Sequence, residues 1–360
     1  MSKQLLSSPL GERLKLARAK AGLSLRDLSE KLVNNRVTPQ AIGKYERGLM
    51  TPGSQVLLEL CSVLNVRLAH LMNAENASLG NVEFRAQAST TARERSQVES
   101  QIQDWLGRYL ELERILELDS SLWNEPFRPE RVSCLQDAES LANSLRDKWN
   151  LGIEPIQSIT EVLEEHGLKI MCTELPLRVS GLTCTVSQGG KTMVPVIVVN
   201  SQFSLERRRL TLAHELAHRL ICSTTDIKAT EKLANRFAAA FLMPSSVVKL
   251  RLGSKRHSVA YDEIIHSKRY FRVSAVALLY RLKDLEVISE ETFTYKMKTM
   301  AKFWRTSEPQ PLCDDNEIPR RFHLLCSRAY SEGLIGRAKA AELIQEDQNT
   351  VLARLRGPEL

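Results

Sequence analysis

Hydrophobic positions recur at helical spacing through the first 72 residues of the chain. The pattern predicts one helix over 10–21 and a second over 25–32, for which Ser24 is a suitable N-cap. Thr38 and Pro39 open a third helix, with the threonine as N-cap and the proline at the first helical position. This part of the chain is therefore predicted to be all-helical, with short loops.

The pattern changes character after residue 155. A predicted helix over 156–166 is followed by short apolar runs over 168–172, 181–186 and 194–199, which are typical of strands. A long helix containing His-Glu-Leu-Ala-His comes next, and a further helix begins near Thr230. A small sheet beside helices predicts an α+β fold.

The remaining segments are mostly helical and divide the chain. Residues 102–110 carry apolar positions at helical spacing and predict a linker helix or a helix for dimer contacts. Pro309 and Pro311 mark a linker over 305–317, which precedes a short helical tail. The predicted units are an N-terminal domain, a helical linker, an α+β domain and a linker with tail, over residues 1–75, 76–150, 151–304 and 305–360.

Composition and charge narrow the class of protein. The seven cysteines form no C-x-x-C pair, which argues against a thiolate zinc cluster and favours a cytoplasmic location. The longest apolar runs fall far short of the ~18 residues of a membrane span, and residues 1–10 lack the pattern of a secretory signal. The net charge is +7, and residues 1–75 hold eleven Lys and Arg against six Asp and Glu, a weak indication of nucleic-acid binding.

The strongest chemical motif is His214-Glu215-Leu216-Ala217-His218. Two histidines four residues apart lie on one helix face, where both imidazoles reach one metal ion. Glu215 then lies beside that ion and is the candidate general base. The helix is otherwise apolar on its packing side, and polar groups among apolar residues need a partner such as a metal. The motif predicts a zinc site that catalyses hydrolysis.

A catalytic zinc ion requires a third protein ligand. Glu231 is the best candidate, since it starts a second strongly helical stretch; Asp226 is the alternative. Asn235 lies one turn after Glu231 and is positioned to hydrogen-bond a ligating histidine. The oxyanion-stabilising group stays open among Tyr261, His266 and Tyr270.

The third predicted helix of the N-terminal domain has the composition of a DNA-reading helix. Gln40, Lys44 and Arg47 are polar, whereas Ile42 and Tyr45 are expected to face inward. Glutamine at the start of a helix with basic residues along one face suits the major groove, so the candidate DNA contacts are Thr38, Gln40, Lys44 and Arg47. A plain helical bundle with a solvated face explains the same pattern equally well.

A resemblance separates these alternatives. The run TPQAIGKYERG at positions 38–48, followed by Thr51-Pro52, resembles the Cro/repressor-type (XRE) helix-turn-helix family. This resemblance implies that the helix opening at Thr38 is the recognition helix, and that Gln40 and Lys44 contact bases. The turn over 33–37 is longer than the family's usual turn, which implies a different angle between the second and third helices.

A second resemblance covers roughly residues 155–300. The strand VIVVN at 196–200, the run RRLTLAHELAH at 208–218 and the helix from Glu231 to Pro244 resemble the ImmA/IrrE metallopeptidase family. The resemblance implies a zincin-like fold, His214, His218 and Glu231 as zinc ligands and Glu215 as catalytic base. Members of this family occur fused to XRE domains and often act on repressors.

These features predict a regulator that binds a double-stranded DNA operator, is dimeric, and cleaves a repressor or itself under a stress or mobile-element signal. If the protein cleaves itself, the polar stretch 74–100 is the expected target. The alternatives are a transcription factor whose zinc domain senses or scaffolds without proteolysis, and a repressor-antitoxin component. No membrane association is expected.

Overall fold

The computed structural model shows a mostly helical protein with one small mixed sheet, which confirms the α+β class. The structure describes residues 9–32, 37–64, 66, 68, 71, 79–84, 92–118, 132–188, 192–222, 226–304, 307–313 and 317–356. Most of the long turn predicted at 33–37 lies outside these residues.

The N-terminal domain is built from short capped helices, as predicted. Ser24 and Asp27 form a capping box at the start of the second helix, and the Thr38 side chain accepts a hydrogen bond from the Ala41 amide at the start of the third. Ile42 is fully buried, and Tyr45 is 8% exposed, which confirms the inward face of the third helix. The helices are α1 (Pro9–Lys20), α2 (Leu25–Lys31), α3 (Pro39–Glu46) and α4 (Ser54–Leu64).

The sheet has four strands in the order β1-β3-β4-β2. β2 and β4 pair in parallel, and the other neighbours pair antiparallel. The three predicted strands are β2, β3 and β4, whereas β1 was not predicted, since the segment 73–150 was expected to be mostly helical. The strands are β1 (Leu79–Phe84), β2 (Lys169–Thr173), β3 (Gly181–Gln188) and β4 (Thr192–Asn200).

Helices cover both faces of the sheet, and this explains the continuous apolar run of β4. Ile197 and Val199 face one hydrophobic core, while Val196 and Val198 face a second core on the other side. The helices beyond α4 are α5 (Ala92–Ile115), α6 (Leu135–Lys148), α7 (Ile159–Glu165), α8 (Leu205–Leu220), α9 (Ile227–Leu242), α10 (Ser245–Leu252), α11 (Tyr261–Phe271), α12 (Ala275–Asp284), α13 (Glu290–Thr299), α14 (Arg321–Ser331), α15 (Arg337–Ile344) and α16 (Gln348–Arg356).

Helix α5 connects the N-terminal domain to the sheet. Its apolar residues Ile102 and Leu106 are fully buried in the second core, together with side chains of α14 and α15. Its other contacts hold α1: the Ser100 hydroxyl donates to the Leu16 carbonyl (2.5 Å), and Lys20 pairs with Asp104 (2.6 Å). The apolar face that suggested a linker or dimer helix is therefore used within the chain, and the homodimer stays a prediction.

The segment expected to be a linker near residue 310 supplies buried carboxylates. Glu317 is 2% exposed, accepts hydrogen bonds from the Ile159 and Thr160 amides (both 3.1 Å) and pairs with the buried Arg209. Lys268 likewise pairs with Glu308 (3.0 Å). The segment therefore ties the start of α7 to α8. The helical tail is confirmed as helix, and it packs into the second core.

No helix within the described ranges combines the length and the apolar character that crossing a lipid bilayer requires.

Candidate metal centre

Helix α8 carries the two histidines across one face of the sheet. β4 ends at Asn200, and the Ser204 side chain then caps α8 by accepting from the Arg207 amide (3.3 Å). Leu212 and Leu216 bury one side of α8 in the first core. His214 and His218 lie on the side that lines a cleft.

Helix α9 brings the third candidate ligand to the same cleft. α9 begins at Ile227 rather than near Thr230, because the Asp226 carboxylate accepts hydrogen bonds from the Lys228 and Ala229 amides (2.9 and 3.3 Å). Glu231 therefore lies in the second turn of α9, not at its start. Asp226 serves as the N-cap, and the group of residues spaced to hold a metal ion contains Glu231 instead.

The donor atoms of the three candidate ligands converge on one point. The His214 Nε2 and His218 Nε2 atoms are 3.0 Å apart, and the two Glu231 oxygens lie 3.2 Å and 3.3 Å from these nitrogens. A tetrahedral zinc ion with bonds of 2.0–2.1 Å separates its ligand atoms by about 3.3 Å. The spacing and the donor types both fit a zinc ion, so these residues could hold one.

Asn235 fixes the orientation and tautomer of His214. Its Oδ1 atom lies 3.0 Å from His214 Nδ1, one turn after Glu231 on α9. An amide oxygen only accepts, so a hydrogen lies on Nδ1, and in the neutral ring the Nε2 lone pair then faces the cleft. Asn235 thus occupies the place that the sequence predicted for it.

The histidines and the glutamate of the cleft shift one another's pKa. Hydrogen bonds from His214 and His218 hold the pKa of Glu231 far below its usual range. Burial lowers the pKa of His214, but the hydrogen bond to Glu231 and the nearby carboxylates outweigh it, so the pKa is raised. Glu231 is therefore an anion that attracts a positive charge between these side chains.

Glu215 lies behind the histidines at the base of the cleft. It is 6% exposed, and burial raises the pKa of its carboxyl, against the opposing effect of the two histidines. Its Oε2 atom finds no hydrogen-bond partner among the described residues. A buried carboxylate oxygen without a partner costs about 1–3 kcal/mol, which favours a ligand or water at this atom.

The close approach of β3 to α8 requires a glycine at position 181. A Cβ atom there would lie 2.5 Å from Thr211 Cγ2 and 2.9 Å from the Val198 carbonyl oxygen, and 3.5 Å from Glu215 Cγ. The Val198 oxygen belongs to the backbone of β4 and cannot move aside easily.

We expect Gly181→Ala to lower the free energy of unfolding by about 1–3 kcal/mol, since overpacking forces the backbone to shift. Denaturant unfolding monitored by circular dichroism measures this change. Gly336→Ala is the matched control, because a Cβ atom at Gly336 meets nothing within 4 Å. Equal stability of the two variants would contradict the tight packing of β3 against α8.

The cleft has a volume of about 340 Å³ and also includes residues that the sequence did not single out. Arg207 lines it from the first turn of α8, and Arg178 lines it from the segment before β3. Arg207 lies seven residues before His214, which is helical spacing and could have identified it.

The open oxyanion candidates lie elsewhere. Tyr261 packs near Trp304 (ring centroids 6.1 Å apart), and the Tyr270 hydroxyl donates to Glu154 (2.8 Å). His266 lies beside an exposed arginine of α10 rather than in the cleft. None of the three lines the cleft in the described part of the chain.

The four residues predicted to contact DNA share an accessible surface. Thr38, Gln40, Lys44 and Arg47 are all exposed, and the last three recur at helical spacing along and just beyond α3. The N-terminal domain contacts α5 through α1.

Comparison with known proteins finds a family match for the N-terminal domain and another for the domain that carries the cleft. Residues 14–71 match the helix-turn-helix family, and residues 163–283 match the family described as the IrrE N-terminal-like domain, a peptidase M78 family. The chain is also 33% identical over 106 residues to the "Radiation response metalloprotease IrrE" of Deinococcus deserti. That match covers 25% of this chain and 36% of the relative's length.

The residues matched to the IrrE N-terminal-like family include those that line the cleft, and the peptidase family implies a metal ion. This chain thus combines a segment similar to the helix-turn-helix family, at residues 14–71, with a segment similar to the IrrE N-terminal-like (M78 peptidase) family, at residues 163–283.

Proposed function

We propose that this protein is a cytoplasmic DNA-binding regulator whose peptidase domain is a zinc-dependent endopeptidase. The observation that carries the proposal is the convergence of His214, His218 and Glu231 on one point, with the buried Glu215 beside them. The name of the Deinococcus relative as a metalloprotease supports the same chemistry. The three proposed domain boundaries, at 75, 150 and 304, separate the DNA-binding, linking, catalytic and C-terminal parts.

Each of these residues of the cleft has a separate role in hydrolysis. His214, His218 and Glu231 would hold a zinc ion, which would lower the pKa of a bound water and polarise the scissile carbonyl. Glu215 accepts a proton from the attacking water through its unpartnered Oε2 atom and returns it to the leaving amine. Asn235 keeps the His214 ring in the orientation that leaves its Nε2 lone pair available.

For the DNA-binding part, we propose that α3 enters the major groove of an operator. Gln40 and Lys44 contact base edges, while Thr38 and Arg47 contact phosphates. We propose that the protein binds as a homodimer, since operators of this motif carry two half-sites about one helical turn apart.

The proposed substrate of the peptidase is a repressor protein or the chain itself. Of the stretch 74–100, residues 79–84 form β1 and residues 92–100 lie in α5. Peptidases cleave segments that open locally, so self-cleavage at these two parts requires β1 or α5 to unfold first. Residues 74–78 and 85–91 of this stretch lie outside the described residues, so a repressor and the chain itself both stay proposed substrates.

One observation favours a second candidate function, in which the metal domain senses a signal without proteolysis. α5 contacts α1 through Ser100 and Asp104 and reaches the sheet through the buried Glu113–Lys169 pair (2.5 Å). A continuous helix between the two domains offers a path by which metal binding changes DNA binding.

A reporter under the operator, assayed in cells under inducing conditions, separates the two functions. We expect Gln40→Ala to weaken operator binding by about 1–3 kcal/mol, because a base contact is lost, and to relieve regulation. Electrophoretic mobility shift at fixed salt measures the binding, and Gln348→Ala at the exposed start of α16 is the matched control.

The same reporter tests proteolysis. If the endopeptidase is the effector, Glu215→Gln blocks induction and leaves the repressor intact on an immunoblot. If Glu215→Gln leaves induction unchanged while Gln40→Ala abolishes regulation, the sensor function replaces the peptidase function.

A further inference from the structure

Arg207 stands at the entrance of the cleft in a position that helix stability does not explain. It lies in the first turn of α8, on the cleft side and two turns before His214. A cation in the first turn of a helix opposes the helix dipole and costs a few tenths of a kcal/mol. A residue that conflicts with its local structure points to a functional use of that side chain.

The guanidinium of Arg207 is held in place without being neutralised. Its Nη2 atom donates to the Ser180 hydroxyl (2.8 Å), and its Cζ atom lies 3.6 Å from the centroid of the Phe203 ring. No carboxylate pairs with it in the part of the chain that the structure describes. An arginine has five N–H donors, so most of them remain available to a bound group.

The other arginine of the cleft differs in this respect. Arg178 forms an ion pair with Glu94 at the start of α5, which offsets its charge. The carboxylates of the cleft, Glu215 and Glu231, lie at the candidate metal centre and offset the charge of the ion proposed there. Arg207 thus contributes the uncompensated positive charge at the cleft entrance.

We propose that Arg207 selects peptide substrates by binding the carboxylate of an aspartate or glutamate about three residues from the scissile bond. This inference rests on the proposed peptidase function and names its substrate class. Seven residues of α-helix between Arg207 and His214 span about 10 Å, and an extended peptide covers that length in about three residues. A planar guanidinium held on an aromatic ring is suited to bind a carboxylate bidentately.

Fluorogenic peptides test the selection directly. The probes are blocked, alanine-rich octapeptides with leucine on both sides of the central bond. They carry either glutamate or glutamine three residues before or after that bond. For one of the two positions, we expect the zinc-loaded protein to show at least tenfold higher kcat/KM with glutamate. Arg207→Gln should reduce that ratio to within about twofold, and Arg207→Lys should restore part of it.

Arg337→Gln is the matched control, since it removes the same charge from the exposed start of α15 and should keep the full preference. Equal kcat/KM for glutamate and glutamine peptides in the wild-type protein would overturn the inference, as would a preference that survives in Arg207→Gln.

Binding measured without turnover separates this inference from the proposed function. Fluorescence anisotropy of the labelled peptides with zinc-loaded Glu215→Gln protein should show tighter binding of the glutamate peptide. The difference should vanish when Arg207→Gln is added. If the Glu215→Gln protein prefers the glutamate peptide but the wild-type protein cleaves neither peptide, only the proposed peptidase function is contradicted. Unselective binding would contradict the role of Arg207 whether or not peptides are cleaved.

Discussion

Glu215→Gln is expected to reduce kcat for peptide hydrolysis by about 10²–10⁴-fold, the usual contribution of a general base. Glutamine has nearly the same shape as glutamate but accepts no proton from water at neutral pH. The change should leave the zinc content unchanged, because Glu215 is not among the three residues whose donor atoms converge. Hydrolysis of a fluorogenic peptide by the zinc-loaded protein, with zinc measured on the same sample, tests both parts.

Glu174→Gln is the control for this prediction, since Glu174 is exposed and does not line the cleft. Its activity should match that of the wild-type protein within about twofold. If Glu215→Gln hydrolyses the peptide at the wild-type rate, Glu215 is not the base, and the chemistry assigned to the cleft must be revised.

Glu317→Ala is expected to lower the free energy of unfolding by about 3–5 kcal/mol, the cost of breaking a buried ion pair by removing one partner. Arg209 would retain its charge in a fully buried position, and the amides of Ile159 and Thr160 would lose their acceptor at the start of α7. Chemical denaturation of the purified protein measures the change.

The exposed pair of Arg328 and Glu332 provides the comparison for the buried one. The two side chains are 54% and 45% exposed, so Glu332→Ala should change stability by less than about 1 kcal/mol. A similarly small effect of Glu317→Ala would show that residues 307–317 behave as a linker rather than as part of the core.

Local sequence patterns predicted most of the elements that hold the site. Ser24 and Thr38 are caps in the structure as in the sequence, and the two-sided burial of β4 follows from its unbroken apolar run. The spacing of His214 and His218 placed them on one helix face. The site roles of Glu215, Glu231 and Asn235 remain predictions, although their positions in the structure agree with those roles.

Long-range contacts are what the sequence did not reveal. β1 was missed because a short strand far from β3 in sequence gains its stability from pairing rather than from local preference. The buried role of Glu317 depends on Arg209, which lies 108 positions away. The sequence pattern predicts that α9 starts near Thr230, whereas the Asp226 side chain caps the helix and it starts at Ile227.

The zinc content of the purified protein and of two carboxylate variants shows whether His214, His218 and Glu231 hold a zinc ion. After exhaustive dialysis, we expect one zinc ion per chain in the wild-type protein and in Asp226→Asn, and a large loss of zinc in Glu231→Gln. Absence of zinc from the wild-type protein, or loss of zinc in Asp226→Asn with retention in Glu231→Gln, would contradict this assignment.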